Sequence, residues 1–340
     1  MRTQTQPMSG FLHLALPSGA AGRPSELSEL DRILIRTLQV DGRRSFAAMA
    51  RDLDLPEKTI RRRVHELLES CIIQIATVAD PAVLGYTVAA LIGLNVDGQR
   101  RIRPLVESLA QLPAVDYAAI TTGRFDALVE VLCRDMTELR TVVDETLVGA
   151  PGVRSAEVFP YLRLHYQEPG WEVAQQKQDG GLGPAHTPLD DTDHRIIAEL
   201  SADGRRPFAL VGDTLGVSES QIRKRVTRML AERTIRITAI VNPRSLGFER
   251  QLWIGIRCQP GHSITAVADT LARIPSITYV VVCAGRFDLF VEAVCHDTAE
   301  VMRLIDTEVR TLTGVRSTEL LFCLDLFYRA VRPAEPAMGG

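Results

Sequence analysis

The sequence predicts an α+β protein in which two helix-turn-helix domains alternate with two ferredoxin-like βαββαβ domains along one chain. Three observations predict this fold class: an internal repeat of domain length, two basic helices that each follow two short helices, and strands and helices in a split βαββαβ order. The repeat pairs Asp41 with Asp203 and Gly123 with Gly285 at the same offset of 162 residues. This indicates a duplicated pair of domains, because a solenoid would show several short repeats.

Composition sets the predicted domain boundaries. Residues 1–26 become rich in Pro, Ser and Gly, which predicts a disordered leader, and residues 168–189 are rich in Gly and Gln, which predicts a flexible linker. The expected domains are a helix-turn-helix over 27–80, a ferredoxin-like domain over 81–167, a second helix-turn-helix over 190–242 and a second ferredoxin-like domain over 243–330, with a tail over 331–340.

Apolar residues at helical spacing predict three helices in each helix-turn-helix, with a tight turn before the last. A β-strand follows each third helix and is expected to serve either as a wing, giving winged helix-turn-helix domains, or as a connecting strand. The predicted helices are Leu30–Gln39, Phe46–Leu53 and Glu57–Glu69, repeated as Asp193–Leu200, Phe208–Leu215 and Glu219–Glu232, and the strands are Ile72–Val78 and Thr234–Val241.

The rest of each copy alternates between strand and helix patterns in the order βαββαβ, which is typical of the ferredoxin-like motif with helices on one face of a sheet. In the first copy the predicted elements are Val88–Val96, Arg100–Leu112, Val115–Thr122, Ala127–Cys133, Thr137–Val148 and Val153–Leu164, and the second copy repeats the order from Leu252 to Phe327.

Charge and cysteine usage exclude several classes of protein. The net charge is −3, so any nucleic-acid binding must come from local basic patches. The six cysteines form no Cys-x-x-Cys pair and have no metal-type spacing with His, which favours reduced thiols in a cytoplasmic protein without a metal site. No apolar stretch approaches the length of a membrane helix.

The third helices carry the basic runs that recur in both copies, and double-stranded DNA is therefore the expected partner. The alternative is a merely solvated face, but recurrence of the basic run at the same place in both copies favours DNA binding. Thr59 and Gln221 are candidates for base contacts, and the arginine pairs before the second helices are candidates for phosphate contacts. The predicted DNA-binding residues are Arg43, Arg44, Lys58, Thr59, Arg61, Arg62, Arg63, Arg205, Arg206, Ser220, Gln221, Arg223, Lys224 and Arg225.

Several motifs together resemble the Lrp/AsnC family of feast/famine regulators, over nearly the whole chain except the leader and linker. They are Asp41-Gly42-Arg43, the turn before an Arg-rich helix, Asp80 to Gly85 with its repeat Asn242 to Gly247, and Gly123 to Asp126. The resemblance implies a winged helix-turn-helix followed by a RAM domain, which dimerises through its sheet and binds an amino acid or a related small effector. It also implies that the two copies pair within the chain as a pseudo-dimer, and that the protein is a homo-oligomer.

Two positions depart from the family pattern. Phe125 and Phe287 stand where the family usually has Tyr, and Cys71 and Arg233 replace the glycine usual after the recognition helix. For the repeated Gly-Arg-Phe-Asp motif, the residues alone predict a turn between strands, and the resemblance adds an effector pocket. The expected effector-binding residues are Gly123, Arg124, Phe125, Asp126, Gly285, Arg286, Phe287 and Asp288, with Ser155 and Thr318 as weaker candidates.

Two other functions compete with transcription regulation. Sirohaem decarboxylases resemble the same family and would need His and Arg around a tetrapyrrole, but the histidines of this chain share no repeated position. A sensing subunit that acts on a protein partner would bind no DNA. The sequence shows no Ser-His-Asp arrangement, phosphate-binding loop or catalytic carboxylate pair, so we expect no enzymatic activity, no catalytic residue and no cofactor.

Overall fold

The computed structural model describes residues 27–70, 72–79, 81, 83–98, 101–167, 188–232, 234–241 and 247–328. The predictions for the leader, the linker up to residue 187, the tail, Cys71, Arg233, Asp80 and the segment 242–246 lie outside these residues. The chain divides into two compact units. The barrel unit contains residues 86–167 and 248–328, and the head unit contains residues 27–85 and 188–247. In the described part of the chain, no helix has both the length and the apolar character of a membrane span.

The elements follow the predicted order, which confirms the fold class. The first copy forms α1 (Glu29–Val40), α2 (Phe46–Leu53), α3 (Glu57–Glu69), β1 (Ile73–Ala79), β2 (Val88–Val96), α4 (Ile102–Leu109), β3 (Val115–Thr122), β4 (Ala127–Cys133), α5 (Met136–Thr141), continued by a π-helical turn Val142–Leu147, and β5 (Val153–Gln167). The second copy forms α6 (Asp191–Ala202), α7 (Phe208–Leu215), α8 (Glu219–Ala231), β6 (Ile235–Val241), β7 (Arg250–Cys258), α9 (Ile264–Leu271), β8 (Ile277–Cys283), β9 (Leu289–Cys295), α10 (Thr298–Arg303), continued by a π-helical turn Leu304–Val309, and β10 (Val315–Tyr328).

The head unit joins the two helix-turn-helix segments through the strands that follow them. β1 and β6 pair antiparallel from Ile73 opposite Val241 to Ala79 opposite Ile235, so these strands connect the two heads. The first helices cross over: α1 packs against β6, and α6 packs against β1. The Thr238 hydroxyl donates to the Gln39 carbonyl over 2.8 Å, which fixes one of these crossings.

The barrel unit closes two βαββαβ sheets into one barrel. The first copy contributes the order β3-β4-β2-β5 and the second copy β8-β9-β7-β10. β5 pairs with β8, and β10 pairs with β3, so both seams join different copies of the repeat. The sequence predicted two ferredoxin-like sheets that pair; in the structure their edges are hydrogen-bonded, which leaves no open edge strand in the barrel.

An aromatic cluster from both copies fills part of the barrel interior. The ring of Phe159 lies 5.9 Å from Phe125, 5.7 Å from Phe287 and 4.8 Å from Phe290, measured between centroids. Gly93 faces the Phe125 ring so closely that an added Cβ would lie 2.5 Å from its Cγ. Edge-to-face packing of this kind stabilises an interior in which one side chain contacts several others.

Candidate nucleic-acid interface and effector turns

The third helix of each head buries one stripe and exposes another, as the helical period requires. In α3, Ile60 and Val64 are fully buried, while Lys58, Arg61 and Arg62 are exposed. In α8 the matching apolar positions are also buried, and the exposed stripe includes Ser220, Gln221, Arg223 and Lys224. Each head therefore presents an exposed basic stripe on its third helix.

The third arginine of each basic run has a different environment. The guanidinium of Arg63 forms a fork with the carboxylate of Asp31, which is completely buried on α1. Burial opposes ionisation of Asp31, but hydrogen bonds from Arg63 and Ser28 outweigh it and lower the pKa of this carboxyl. Arg63 is thus held to the first helix, away from the exposed stripe.

Asp193 plays the same part in the second head. The guanidinium of Arg225 donates to Asp193 over 2.8 Å and to Asp190 over 2.7 Å, and Arg228 also pairs with Asp193. Arg63 and Arg225, which the sequence predicted to contact DNA, thus pair with carboxylates of their own heads. The sequence did not show that each charge has a buried carboxylate opposite it.

The arginines predicted as phosphate contacts also have partners within the head unit. Arg43 donates from Nη1 to the carbonyls of Gly204 and Arg206, over 2.7 and 3.1 Å. Arg205 donates to the carbonyls of Gly42 and Arg44, over 3.3 and 3.0 Å. Burial lowers the pKa of both arginines, and in Arg43 the charge of Arg205 adds to this effect. Both guanidinium groups thus bind the opposite head.

The side chains of Arg44, Arg206 and Gln221 bind groups of their own heads. Arg44 pairs with Asp52, and Arg206 pairs with Glu199 and contacts the Thr214 hydroxyl. The Gln221 amide oxygen accepts from the Ser218 backbone N–H over 3.3 Å in a capping box at the start of α8. Thr59 is half-buried on α3.

The repeated Gly-Arg-Phe-Asp turns divide into buried and exposed members. Phe125 and Phe287 are buried in the barrel interior, at 1% and 3% exposure. The Asp126 carboxylate accepts the Val96 backbone N–H over 2.8 Å, and Asp288 accepts that of Cys258 over 2.7 Å. These four side chains hold the turns to the neighbouring strands, and the glycines and arginines are exposed.

Glu157 on β5 brings the two arginines of these turns together. Its carboxylate lies 2.9 Å from Arg286 Nε and 3.3 Å from Arg124 Nε, so one acidic side chain contacts both copies. Glu319 occupies the equivalent position on β10 and forms no ion pair with the residues that the structure describes. Sequence reasoning missed Glu157, because only the barrel closure brings Arg286 beside it.

Two family profiles match the chain, each twice. An AsnC-type helix-turn-helix domain matches residues 27–68 and 189–230, and a Lrp/AsnC ligand binding domain matches residues 89–171 and 251–332. The chain belongs to the Lrp/AsnC family. This confirms the resemblance and the tandem duplication, and it makes this Lrp/AsnC chain a transcription regulator of that type.

Single-copy relatives match one half of this Lrp/AsnC chain. An uncharacterized HTH-type transcriptional regulator of Pyrococcus abyssi is 37% identical over 139 residues, which are 41% of this chain and 87% of the relative. The regulatory protein AsnC of Haemophilus influenzae is 26% identical over 137 residues, which are 40% of this chain and 91% of AsnC.

A solved structure matches both halves. The siroheme decarboxylase NirDL is 19% identical, with a TM-score of 0.62 over 88% of this Lrp/AsnC chain and 92% of NirDL. At this identity the match is a likeness of fold.

Proposed function

We propose that the chain binds duplex DNA through the exposed stripes of α3 and α8, each head taking one half-site of an imperfect inverted repeat. The observation that carries this proposal is the division within each basic run. Arg62 is 63% exposed and Arg223 is 62% exposed, whereas Arg63 and Arg225 are held by buried carboxylates. Each helix therefore presents its remaining cations from a fixed orientation, as base and phosphate contacts require.

The two half-sites differ in this proposal, because the exposed stripes differ. Arg62 of α3 corresponds to Lys224 of α8, and His65 corresponds to Thr227. A guanidinium can bind guanine through two parallel hydrogen bonds, which a lysine ammonium does not reproduce. We therefore expect the first head to discriminate more strongly at the base pair that Arg62 contacts.

The test is selection of binding sites from a randomised duplex pool, followed by affinity measurements at several salt concentrations. We expect Arg62→Ala to lose about 1–3 kcal/mol and to relax selectivity in one half-site only. Arg140→Ala is the matched control, since Arg140 is an exposed arginine of α5 in the barrel unit. No enrichment of any sequence, or equal losses for both variants, would count against the proposal.

We further propose that the Gly-Arg-Phe-Asp turns bind the carboxylate of an amino acid or a related small effector, through Arg124 and Arg286. Both guanidinium groups are partly exposed and already bind a carboxylate, that of Glu157. Asp126 and Asp288 each use one oxygen on a backbone N–H, so their remaining oxygens are the candidate contacts for an ammonium group. Thermal-shift screening of the common amino acids, repeated with Arg124→Gln and Arg286→Gln, tests this: a shift that survives both substitutions would exclude the site.

We propose that the chain has no enzymatic activity, and we keep siroheme decarboxylation as the second candidate because the fold likeness to NirDL covers both halves. The discriminating experiment is the visible absorbance spectrum after sirohaem is added to the purified chain. An unchanged sirohaem spectrum supports the regulator alone. A stoichiometric new absorbance band followed by loss of carbon dioxide would support the enzyme.

A further inference from the structure

The two Asp-Gly-Arg loops of the head unit lie against each other's strands. The Gly42 N–H donates to the Ile237 carbonyl of β6, and the Gly204 N–H donates to the Ile75 carbonyl of β1, both over 2.8 Å. A Cβ on Gly42 would lie 2.9 Å from the Ile237 backbone, so this approach requires glycine. Each loop is therefore seated on the opposite head.

Arg43 and Arg205 extend from these loops into the opposite head, where each binds two carbonyls. Each guanidinium also stacks on the phenylalanine that begins the opposite second helix. The Arg43 Cζ lies 4.0 Å from the centre of the Phe208 ring, and the Arg205 Cζ lies 4.5 Å from that of Phe46. Two carbonyl hydrogen bonds and a ring contact fix a planar guanidinium in one orientation.

The same two rings also contact the third helices, α3 and α8. Arg61 of α3 lies over the Phe46 ring at 5.0 Å, and Arg223 of α8 lies over the Phe208 ring at 5.3 Å. Each phenylalanine thus contacts one arginine from the opposite head and one from its own recognition helix. The head-to-head contact is therefore continuous with the exposed basic stripes through two Arg-Phe-Arg contacts.

We propose that Arg43 and Arg205 form a reciprocal clasp that fixes the separation of α3 and α8, and so determines which half-site spacing the chain selects. This inference rests on the proposed DNA binding and assigns both residues a positioning role. It replaces their predicted role as phosphate contacts, because their guanidinium groups are half-buried and hold carbonyls of the opposite loop. A lysine would keep the charge but lose the fork and the planar stack.

The first measurement needs no DNA. Keto amino acids are encoded in place of His65 and Thr227, which are equivalent exposed positions on α3 and α8, and spin labels are attached to them. Because the labels react with the keto groups, the native thiols are not labelled. We expect a narrow label-to-label distance distribution for the full chain, and a broader one for the double variant Arg43→Lys, Arg205→Lys. The control is Arg44→Lys, because Arg44 pairs with Asp52 in its own head. An unchanged distribution in the double variant would overturn the clasp.

The second measurement uses duplexes that carry two selected half-sites, with spacers that step through one helical turn. We expect the affinity ratio between the best and worst spacings to fall by about tenfold in the double variant, with affinity for an isolated half-site unchanged within about twofold. Arg43→Gln and Arg205→Gln, which remove the charge, test the alternative: if they lower isolated half-site affinity and reduce the salt slope by about one per substitution, the arginines contact phosphate and the proposal is wrong.

Two outcomes need separate variants or readouts. If the double variant does not fold, Arg43→Lys and Arg205→Lys are measured singly, since each leaves the other arginine in place. Label distances and spacing profiles that match the wild type in both single variants would overturn the proposal. If the wild-type chain binds no duplex, the proposed function fails. The label distances then decide alone whether the clasp fixes the helices.

Discussion

Neighbouring arginines on α3 have opposite surroundings. Arg62 is exposed and pairs with Glu66 over 2.6 Å, within one turn of the same helix. Arg63 binds the carboxylate of Asp31, a residue with no exposed surface. An exposed pair within a helix contributes a few tenths of a kcal/mol, whereas removal of one partner from a buried carboxylate leaves an unpaired charge in the interior.

We therefore expect Arg63→Ala mainly to destabilise the head unit and Arg62→Ala mainly to weaken DNA binding. Arg63→Ala should lower the free energy of unfolding of the head unit by about 3 kcal/mol. Arg62→Ala should change it by less than about 0.5 kcal/mol, while weakening DNA binding. Urea unfolding measures the stability of each variant, and DNA titration at a temperature where both variants are folded measures their binding. Equal stability losses would contradict the assigned environments.

Glu292 on β9 is a carboxyl group inside the barrel. Its oxygens accept from the Gln251 side chain on β7 and from the Thr278 hydroxyl on β8, and Glu130 on β4 adds a negative charge nearby. Burial raises the pKa of Glu292 to about 7, against the hydrogen bonds, which lower it, and the charge of Glu130 contributes further to the rise. The folded chain thus keeps this proton over a range in which the unfolded chain loses it.

The sign of the pH effect follows from this order of pKa values. Protonated Glu292 makes its full contribution to the free energy of unfolding below the ordinary glutamate pKa of 4.5. The wild type loses this contribution as the pH rises through about 7. In Glu292→Gln the side chain does not titrate, so its stability relative to the wild type should increase by on the order of 2 to 3 kcal/mol between pH 4.5 and 8. Urea unfolding across this range measures the difference. Glu145→Gln, at an exposed position, is the control for the loss of one carboxylate.

The packing of β2 against the turn after β3 depends on Gly93, which has no side chain. Gly93 leaves the space that the Phe125 ring fills, and Gly255 does the same for Phe287 in the second copy. We expect Gly93→Ala to destabilise the barrel unit by about 1–3 kcal/mol through overpacking. Gly98→Ala is the matched control five residues away, since its added Cβ would have no neighbour within 4 Å. Thermal unfolding that ranks the two variants equally would contradict this packing.

Helix and strand positions follow closely from local pattern. The bounds of α2, α3, β2, β3 and β4 agree with the sequence prediction to the residue, because each has a clear apolar period and a polar or glycine boundary. The sequence left open whether β1 and β6 serve as wings or as connecting strands. Their pairing with each other was not predicted, since alternation shows that a strand forms without showing its partner.

Contacts between segments that are distant in sequence were not predictable in this way. The carboxylates opposite Arg63 and Arg225, the loops that bind Arg43 and Arg205, and Glu157 all depend on distant segments. Charge and spacing identified the basic helices correctly, but not which of their arginines stay exposed. A charged residue carries the same local pattern whether its partner is water, DNA or a buried carboxylate.

The closed barrel requires both copies of the repeat. Its seams, β5 with β8 and β10 with β3, lie within one polypeptide, so barrel formation is an intramolecular process. We therefore expect the barrel unit to stay folded in samples that sedimentation shows to be monomeric, whereas a barrel built from separate chains would come apart on dilution. Circular dichroism and sedimentation over about a hundredfold dilution check this, and loss of the strand signal in the monomeric sample would contradict it.

The fusion also determines what a substitution can do. In a regulator that pairs two identical chains, every inherited change is present in both halves, and chains from related genes can exchange. Here Arg62 and Lys224 belong to one translation product, so a change in either alters the third helix of one head alone. With the proposed DNA binding, a substitution in one gene would alter the recognition of one half-site while the other half-site stays recognised as before. Intact protein also cannot be inactivated by mixing with a defective sister chain at the β5–β8 seam, because that edge is already paired.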